Sequence, residues 1–156
     1  ALERSEGKKA AAHQYYVRAC TLHSGGGCNN LADSFREMNR PAEVRRYYAL
    51  SCTYGDFLGC NNFGVGEELA GNVNEARKWY KLACDKGIAH GCRNSGNLAR
   101  REGKLKDSTV LLTRASNLMR ASCTAGFSQS CVDLKAMQEG SSLSRAPASS
   151  PKSKTN

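Results

Sequence analysis

The sequence predicts an all-α fold, an α/α solenoid of about four helix-turn-helix repeats, and three observations carry that prediction. Eight cysteines form four pairs of identical spacing, C-x7-C, at Cys20/Cys28, Cys52/Cys60, Cys84/Cys92 and Cys123/Cys131. The pairs recur after 32, 32 and 39 residues, and a period in this range is the signature of a repeat architecture. Upstream of each first cysteine, aromatic, apolar or small residues stand one, four, five and eight positions back, which traces one face of an α-helix.

Along the chain the pattern predicts helices near 6–21, 28–38, 41–53, 59–69, 73–85, 91–101, 107–124 and 129–138. The helices entering the cysteine pairs are marked by Ala12, Tyr15, Tyr16 and Ala19, then by Val44, Tyr47, Tyr48 and Ser51. The same offsets hold Ala76, Trp79, Tyr80 and Ala83, and finally Ala115, Leu118, Met119 and Ser122. At helical spacing these aromatics read as core side chains rather than a base-stacking platform. The helices leaving the pairs carry a weaker pattern, Leu31/Ala32, Phe63/Gly64, Ser95/Gly96 and Leu134/Lys135. Pro41 suits the first turn of its helix, where a missing N–H costs nothing. Gly55, Gly87 and Gly126, with Gly27, Gly59 and Gly91 just before the second cysteines, are expected at the corner, where helix ends and tight turns favour glycine. The 39-residue step around Gly103 requires a longer third connection or an extended entering helix, so the third repeat is the irregular one. The solenoid is expected over 1–140. The Ser/Pro/Lys-rich basic segment 141–156 has no apolar face and is expected to be a disordered tail unless a partner orders it.

The segments Gly27-Cys28-Asn29-Asn30-Leu31-Ala32, Gly59-Cys60-Asn61-Asn62-Phe63-Gly64 and Lys78-Trp79-Tyr80-Lys81-Leu82-Ala83-Cys84-Asp85-Lys86-Gly87 resemble Sel-1-like repeats, relatives of the tetratricopeptide repeats. The C-x7-C variant is similar to the Helicobacter cysteine-rich proteins, and that resemblance implies that each cysteine pair closes a disulfide inside its own repeat. The chain departs from the family in its short 32-residue period and in a degenerate fourth copy, Cys131-Val132-Asp133-Leu134-Lys135. The residues themselves allow disulfides, metal sites or reactive thiols. Structural zinc prefers C-x2-4-C, neither His23 nor His90 repeats as a ligand, and a nucleophile would be one odd cysteine. Four pairs bracketing helix corners fit disulfides instead, each closing a loop of about nine residues for about 2.5 kcal/mol. A disulfide-stapled solenoid of this kind belongs in an oxidising compartment.

Composition narrows the function classes. Hydrophobic residues at 40% and charged ones at 24% of 156 residues exclude wholesale disorder. A mean hydropathy of −0.56, without 18 consecutive apolar residues, excludes a transmembrane helix. The net charge of +9 favours acidic partners, yet the core reading of the aromatics and the oxidising compartment argue against nucleic acid. The β-lactamase label of the Helicobacter relatives directs attention to S-x-x-K. Ser5-Glu6-Gly7-Lys8 and Ser149-Ser150-Pro151-Lys152 match it at the chain ends, but S-D-N and K-T-G do not occur. No catalytic residue, cofactor or metal is expected.

Binding then falls to the solenoid surface. In helical arrays the helices leaving the pairs line the concave side. The positions pointing away from their core face hold Asn29/Asn61/Arg93, Asn30/Asn62/Asn94, Asp33/Val65/Asn97 and Arg36/Glu68/Arg100. The ladder Asn30, Asn62 and Asn94 reads two ways, as a binder of an extended peptide backbone or as inter-repeat bonds that fix the stacking. Arg93, Asn97 and Arg100 stand in the basic run Arg93–Arg120 and are expected to take an acidic or carboxylate-terminated segment. The resulting expectation is a non-catalytic protein- or peptide-binding scaffold, bacterial periplasmic or secreted, serving adhesion, host interaction, envelope assembly or toxin neutralisation. Two alternatives stand beside it: an assembly factor for a respiratory complex in the mitochondrial intermembrane space, and a penicillin-binding or weak β-lactamase enzyme.

Overall fold

Every expected helix forms, and the turns between them explain where each one stops. The computed structural model describes residues 2–143, with side chains from 6 to 140. Among the described residues there are eight helices and no strand: α1 (Leu2–Thr21), α2 (Gly25–Glu37), α3 (Pro41–Thr53), α4 (Phe57–Leu69), α5 (Val73–Asp85), α6 (Ala89–Arg101), α7 (Leu105–Thr124) and α8 (Ser128–Leu143). They fall into two compact units, one running to Ala115 and the other beginning at Ser116, with the boundary inside α7. The first is an α/α solenoid: α1 to α6 pack in succession, and α2, α4 and α6 also touch one another in turn. The second holds the end of α7 and α8, joined by Cys123–Cys131. Beyond Leu143 the expected basic tail lies outside the described residues.

Seven connections share one geometry. Two residues past each helix end the backbone turns to positive φ, at Gly55, Gly71, Gly87, Gly103 and Gly126, and at His23 and Asn39 where glycine is missing. Gly55 shows the pattern: its N–H donates to the Cys52 carbonyl at 3.1 Å, and the Asp56 N–H donates to the Ser51 carbonyl at 3.0 Å. This double bond-back is the Schellman motif, which satisfies carbonyls the helix end leaves open. The next helix starts at once, capped by Ser24 Oγ on the Gly27 N–H and by Asp56 Oδ1 on the Leu58 N–H.

The four disulfides Cys20–Cys28, Cys52–Cys60, Cys84–Cys92 and Cys123–Cys131 hold Cα atoms 4.4 to 4.8 Å apart. Within the first unit their sulfurs are core. Cys20 and Cys28 cluster with Leu31 and Phe35, while Cys52 and Cys60 cluster with Ala83 under Phe57, Trp79 and Ile88. Gly59 and Gly91 stand at the starts of their helices as expected, and Gly27 joins them because α2 begins earlier than the expected 28; all three lie in the first turn of α2, α4 and α6, where the helices are closest. A Cβ on Gly91 would stand 2.7 Å from both Ala83 Cβ and the Cys84 nitrogen, and one on Gly59 2.5 Å from Ser51 Cβ. One expectation needs correction here: Tyr15 is not core. It is 70% exposed; the later residues at its position pack on a preceding repeat, Tyr47 stacking on Phe35 and Trp79 meeting Phe63 edge-on, and among the described residues no repeat packs against α1 in that way.

The third repeat is irregular through its helix rather than its connection. α7 starts two residues after Gly103, as α5 starts two after Gly71, but runs for 20 residues against 13. Packing stays in the 32-residue register: Gly64 lies against Tyr80, and Gly96 against Leu112. Seven additional residues, two turns, then separate this contact from Cys123, which keeps the same helix face inward. In that register Ser95 and Leu111 replace the Phe63–Trp79 pair. A recess lined by Cys84, Ser95, Leu98 and Leu111 remains, and the buried Ser95 hydroxyl finds no hydrogen-bond partner among the described residues.

Two predictions follow from the corner. Gly91→Ala should lower the unfolding free energy by about 1–3 kcal/mol through overpacking, whereas Gly66→Ala, with nothing within 4 Å of the added Cβ, should raise it by about 0.5–1 kcal/mol. Urea denaturation of the two variants measures the difference. Replacing Cys84 and Cys92 together with serine should cost about 2.5 kcal/mol while circular dichroism retains the helical signal, since neighbouring repeats still template the corner.

Candidate functional site

The 32-residue period builds the same cleft three times in the first unit. Lys9, Ala12, Tyr16, Asn30, Asp33, Ser34 and Glu37 line the first. Shifting each number by 32 gives Pro41, Val44, Tyr48, Asn62, Val65, Gly66 and Leu69, all of which line the second. A further shift gives Val73, Tyr80, Asn94, Leu98 and Arg101 in the third. Each cleft thus presents one tyrosine from the entering helix and one asparagine from the leaving helix. Their remaining walls differ: ion-paired Lys9 and Glu37 in the first, an apolar wall flanked by Arg36, Arg40 and Arg45 in the second, and Glu68, Arg101 and Glu102 in the third.

The asparagines also join repeats. Asn62 Nδ2 donates to Asn29 Oδ1 at 3.0 Å, and Asn94 Nδ2 donates to Asn61 Oδ1 at 2.9 Å. Asn29 and Asn61 are buried, so these bonds satisfy amides that would otherwise be stranded. The stacking role of the ladder is therefore present, and each donor amide keeps a second N–H beside its cleft. Asn30, the first of the ladder, is exposed.

A second set of contacts fastens the repeats through tyrosine hydroxyls. Tyr48 donates to Asp33 Oδ1 at 2.5 Å and accepts from Arg36 at 3.1 Å, while Arg36 pairs with Asp33 at 2.8 Å. One repeat later Tyr80 donates to Glu68 at 2.6 Å, and Arg101 pairs with the same carboxylate. Burial, reinforced by the carboxylate each one serves, pushes both phenols above the ordinary tyrosine range. Burial works against ionising Glu68, but bonds from Tyr80 and Arg101 outweigh it and hold its pKa below the usual value. Glu67 is lowered as well, first by the Asn72 amide at 2.9 Å and then by Arg45 at 2.7 Å. Register could have found these fasteners, since Arg36 and Glu68 both stand 12 residues before their tyrosine. Reading the tyrosines only as apolar bulk hid their hydroxyls.

At the third repeat Leu112 replaces the tyrosine, and no phenol answers the polar groups of α6. Asn94, Asn97 and Arg100 come together with Glu68 and Arg101 around a recess of about 280 Å³. Arg100 Nη2 lies 3.4 Å from Asn97 Oδ1. Arg93 is half-buried on the same helix and does not line that recess. The structure therefore gathers three of the six expected binding residues, places Asn30 and Asn62 in the clefts before them, and leaves Arg93 apart.

Among the described residues no three His, Cys, Asp or Glu side chains converge as a metal site, and no helix is long and apolar enough to cross a membrane. The Ser5 side chain and the segment Ser149–Lys152 lie outside the described side chains. Compared with protein-family models and with curated proteins, the sequence matches none. Its four disulfides mark an oxidising environment.

The lowered carboxylates give a pH prediction. Glu67 and Glu68 bind protons less readily folded than unfolded, so their contribution is complete above the unfolded value of about 4.3 and is lost as pH falls through the folded values. Thermal unfolding of Glu67→Gln should show a shallower loss of stability on acidification below about pH 4.3 than the parent chain.

Proposed function

We propose that the chain is a non-catalytic scaffold of Sel-1-like repeats that binds an extended peptide or protein segment in the bacterial periplasm or outside the cell. The observation supporting this reading is the cleft repeated at the solenoid's own period, each copy lined by an asparagine amide and a tyrosine side chain. Repeat arrays present such periodic groups to extended ligands, and amide groups recognise peptide backbone whatever its sequence. The Asn94, Asn97 and Arg100 recess gives the ligand a direction by favouring a carboxylate at that end.

Selection of random displayed peptides on the oxidised, immobilised chain should yield an enriched acidic consensus. Arg100→Glu should weaken the selected peptides by at least about tenfold, mostly through faster dissociation. Failure to enrich any peptide, or equal affinity for the parent, Arg100→Glu and Asn97→Ala, would overturn the reading.

A further inference from the structure

The geometry points to the middle cleft as the anchor of this scaffold, taking a bulky aliphatic side chain of a peptide that carries a carboxylate three residues further on. This inference rests on the scaffold reading and adds the ligand's chemistry. The cleft encloses about 490 Å³, within the roughly 300–1,000 Å³ of ligand pockets, which are mostly apolar with a few polar groups. Its walls are Pro41 and Val44 from the start of α3 and Phe63, Val65 and Leu69 from α4, and Leu69 is 85% exposed. Gly66 lies between Val65 and Leu69 on α4 with nothing within 4 Å of a Cβ. At this register position the neighbouring clefts carry Ser34 and Leu98, so only the middle copy has open space there.

Charge selects the occupant. The lining includes the guanidiniums of Arg36, Arg40 and Arg45 but one carboxylate, Glu67, which Arg45 and Asn72 already hold. Arg36 and Arg40 pair with Asp33 and Glu43, both outside the lining, and a guanidinium has five donors. The apolar wall also continues toward the basic end. Val65 and Leu69 line the third cleft too, whose Glu68, Asn94 and Arg101 in turn border the Arg100 recess. Neighbouring helices pack roughly 8–10 Å apart, a distance that about three extended residues span. A leucine in the middle cleft thus brings the side chain three positions later to Asn94, Asn97 and Arg100.

The probe is acetyl-Gly-Leu-Gly-Ser-Glu-Gly-amide, titrated into the ¹⁵N-labelled, disulfide-intact chain and followed by amide chemical shifts. Saturable shifts at Val65–Ala70 and at Asn94–Arg101 are expected. Exchanging the probe's leucine for alanine should weaken binding about tenfold, and exchanging its glutamate for glutamine should remove the Asn94–Arg101 shifts. Gly66→Leu should abolish the Val65–Ala70 response without loss of thermal stability, since leucine favours the helix more than glycine does. Unchanged affinity in Gly66→Leu, or indifference to the probe's leucine, overturns the anchor. If peptides from the random selection still bind, the scaffold reading survives that result. If neither they nor the probe bind, the scaffold itself fails.

Discussion

The close approach of two helices at each disulfide corner is the constraint on which the rest of the solenoid depends. In the first unit the paired Cα atoms are 4.4 to 4.7 Å apart, and a Cβ on the residue before each second cysteine would collide with the facing helix, so that residue is glycine. The Schellman turn delivers the chain into that approach, and the next helix begins within two residues. The corners of the first unit have the same length, so their contacts recur in the same register. The period then repeats chemistry as well as shape: whatever stands at one position in a cleft has a counterpart 32 residues later.

This explains what could be read in advance. The cysteine spacing and the offsets before it carried the helices, the corners and the pairing, because they follow from local geometry that residue types announce. The role of Gly59 and Gly91 was not legible, since a turn glycine and a close-contact glycine look alike in sequence, and only the packing partner Ser51 or Ala83 separates them. Tyr15 misled for a different reason. Its offset marks the face toward a preceding repeat, and among the described residues none packs on α1. Asn62 and Asn94 were legible as a ladder but not as donors to Asn29 and Asn61, because that needs the shift of one position between stacked helices.

The +9 net charge takes on a sharper meaning once the acids are located. From Asp33 to Glu102 each carboxylate is engaged by a guanidinium, an ammonium or a helix N-terminus: Asp33 by Arg36, Glu37 by Lys9, Glu43 by Arg40, Glu67 by Arg45, Glu68 by Arg101, Glu75 by Lys78, Asp85 by Lys81, Glu102 by Arg77 and Asp56 as a cap. Most of these pairs are exposed and contribute little to stability individually. Their collective effect is on specificity. With the acids committed, the cationic surplus is left to attract an external anion, and the positions where a tyrosine fails to recur decide where that attraction is felt.

The seven-residue excess in α7 shows how tightly function and packing share one register. Aligned on cysteines, Met119 takes the place of Tyr80, and aligned on packing, Leu112 does. Both alignments are apolar because seven residues are two turns, so the excess preserves the buried face of α7. Neither residue supplies a hydroxyl. The acid–tyrosine–arginine fastener that closes the first two junctions has no third copy, and Asn97 and Arg100 remain turned to the surface at the end of the row of clefts. A helix lengthened by any number of residues that rotated the face would have broken the core first. Leu112 at the packing register is what removes the fastener and leaves the polar recess, while Ala115 and Met119 keep the buried face of α7 apolar.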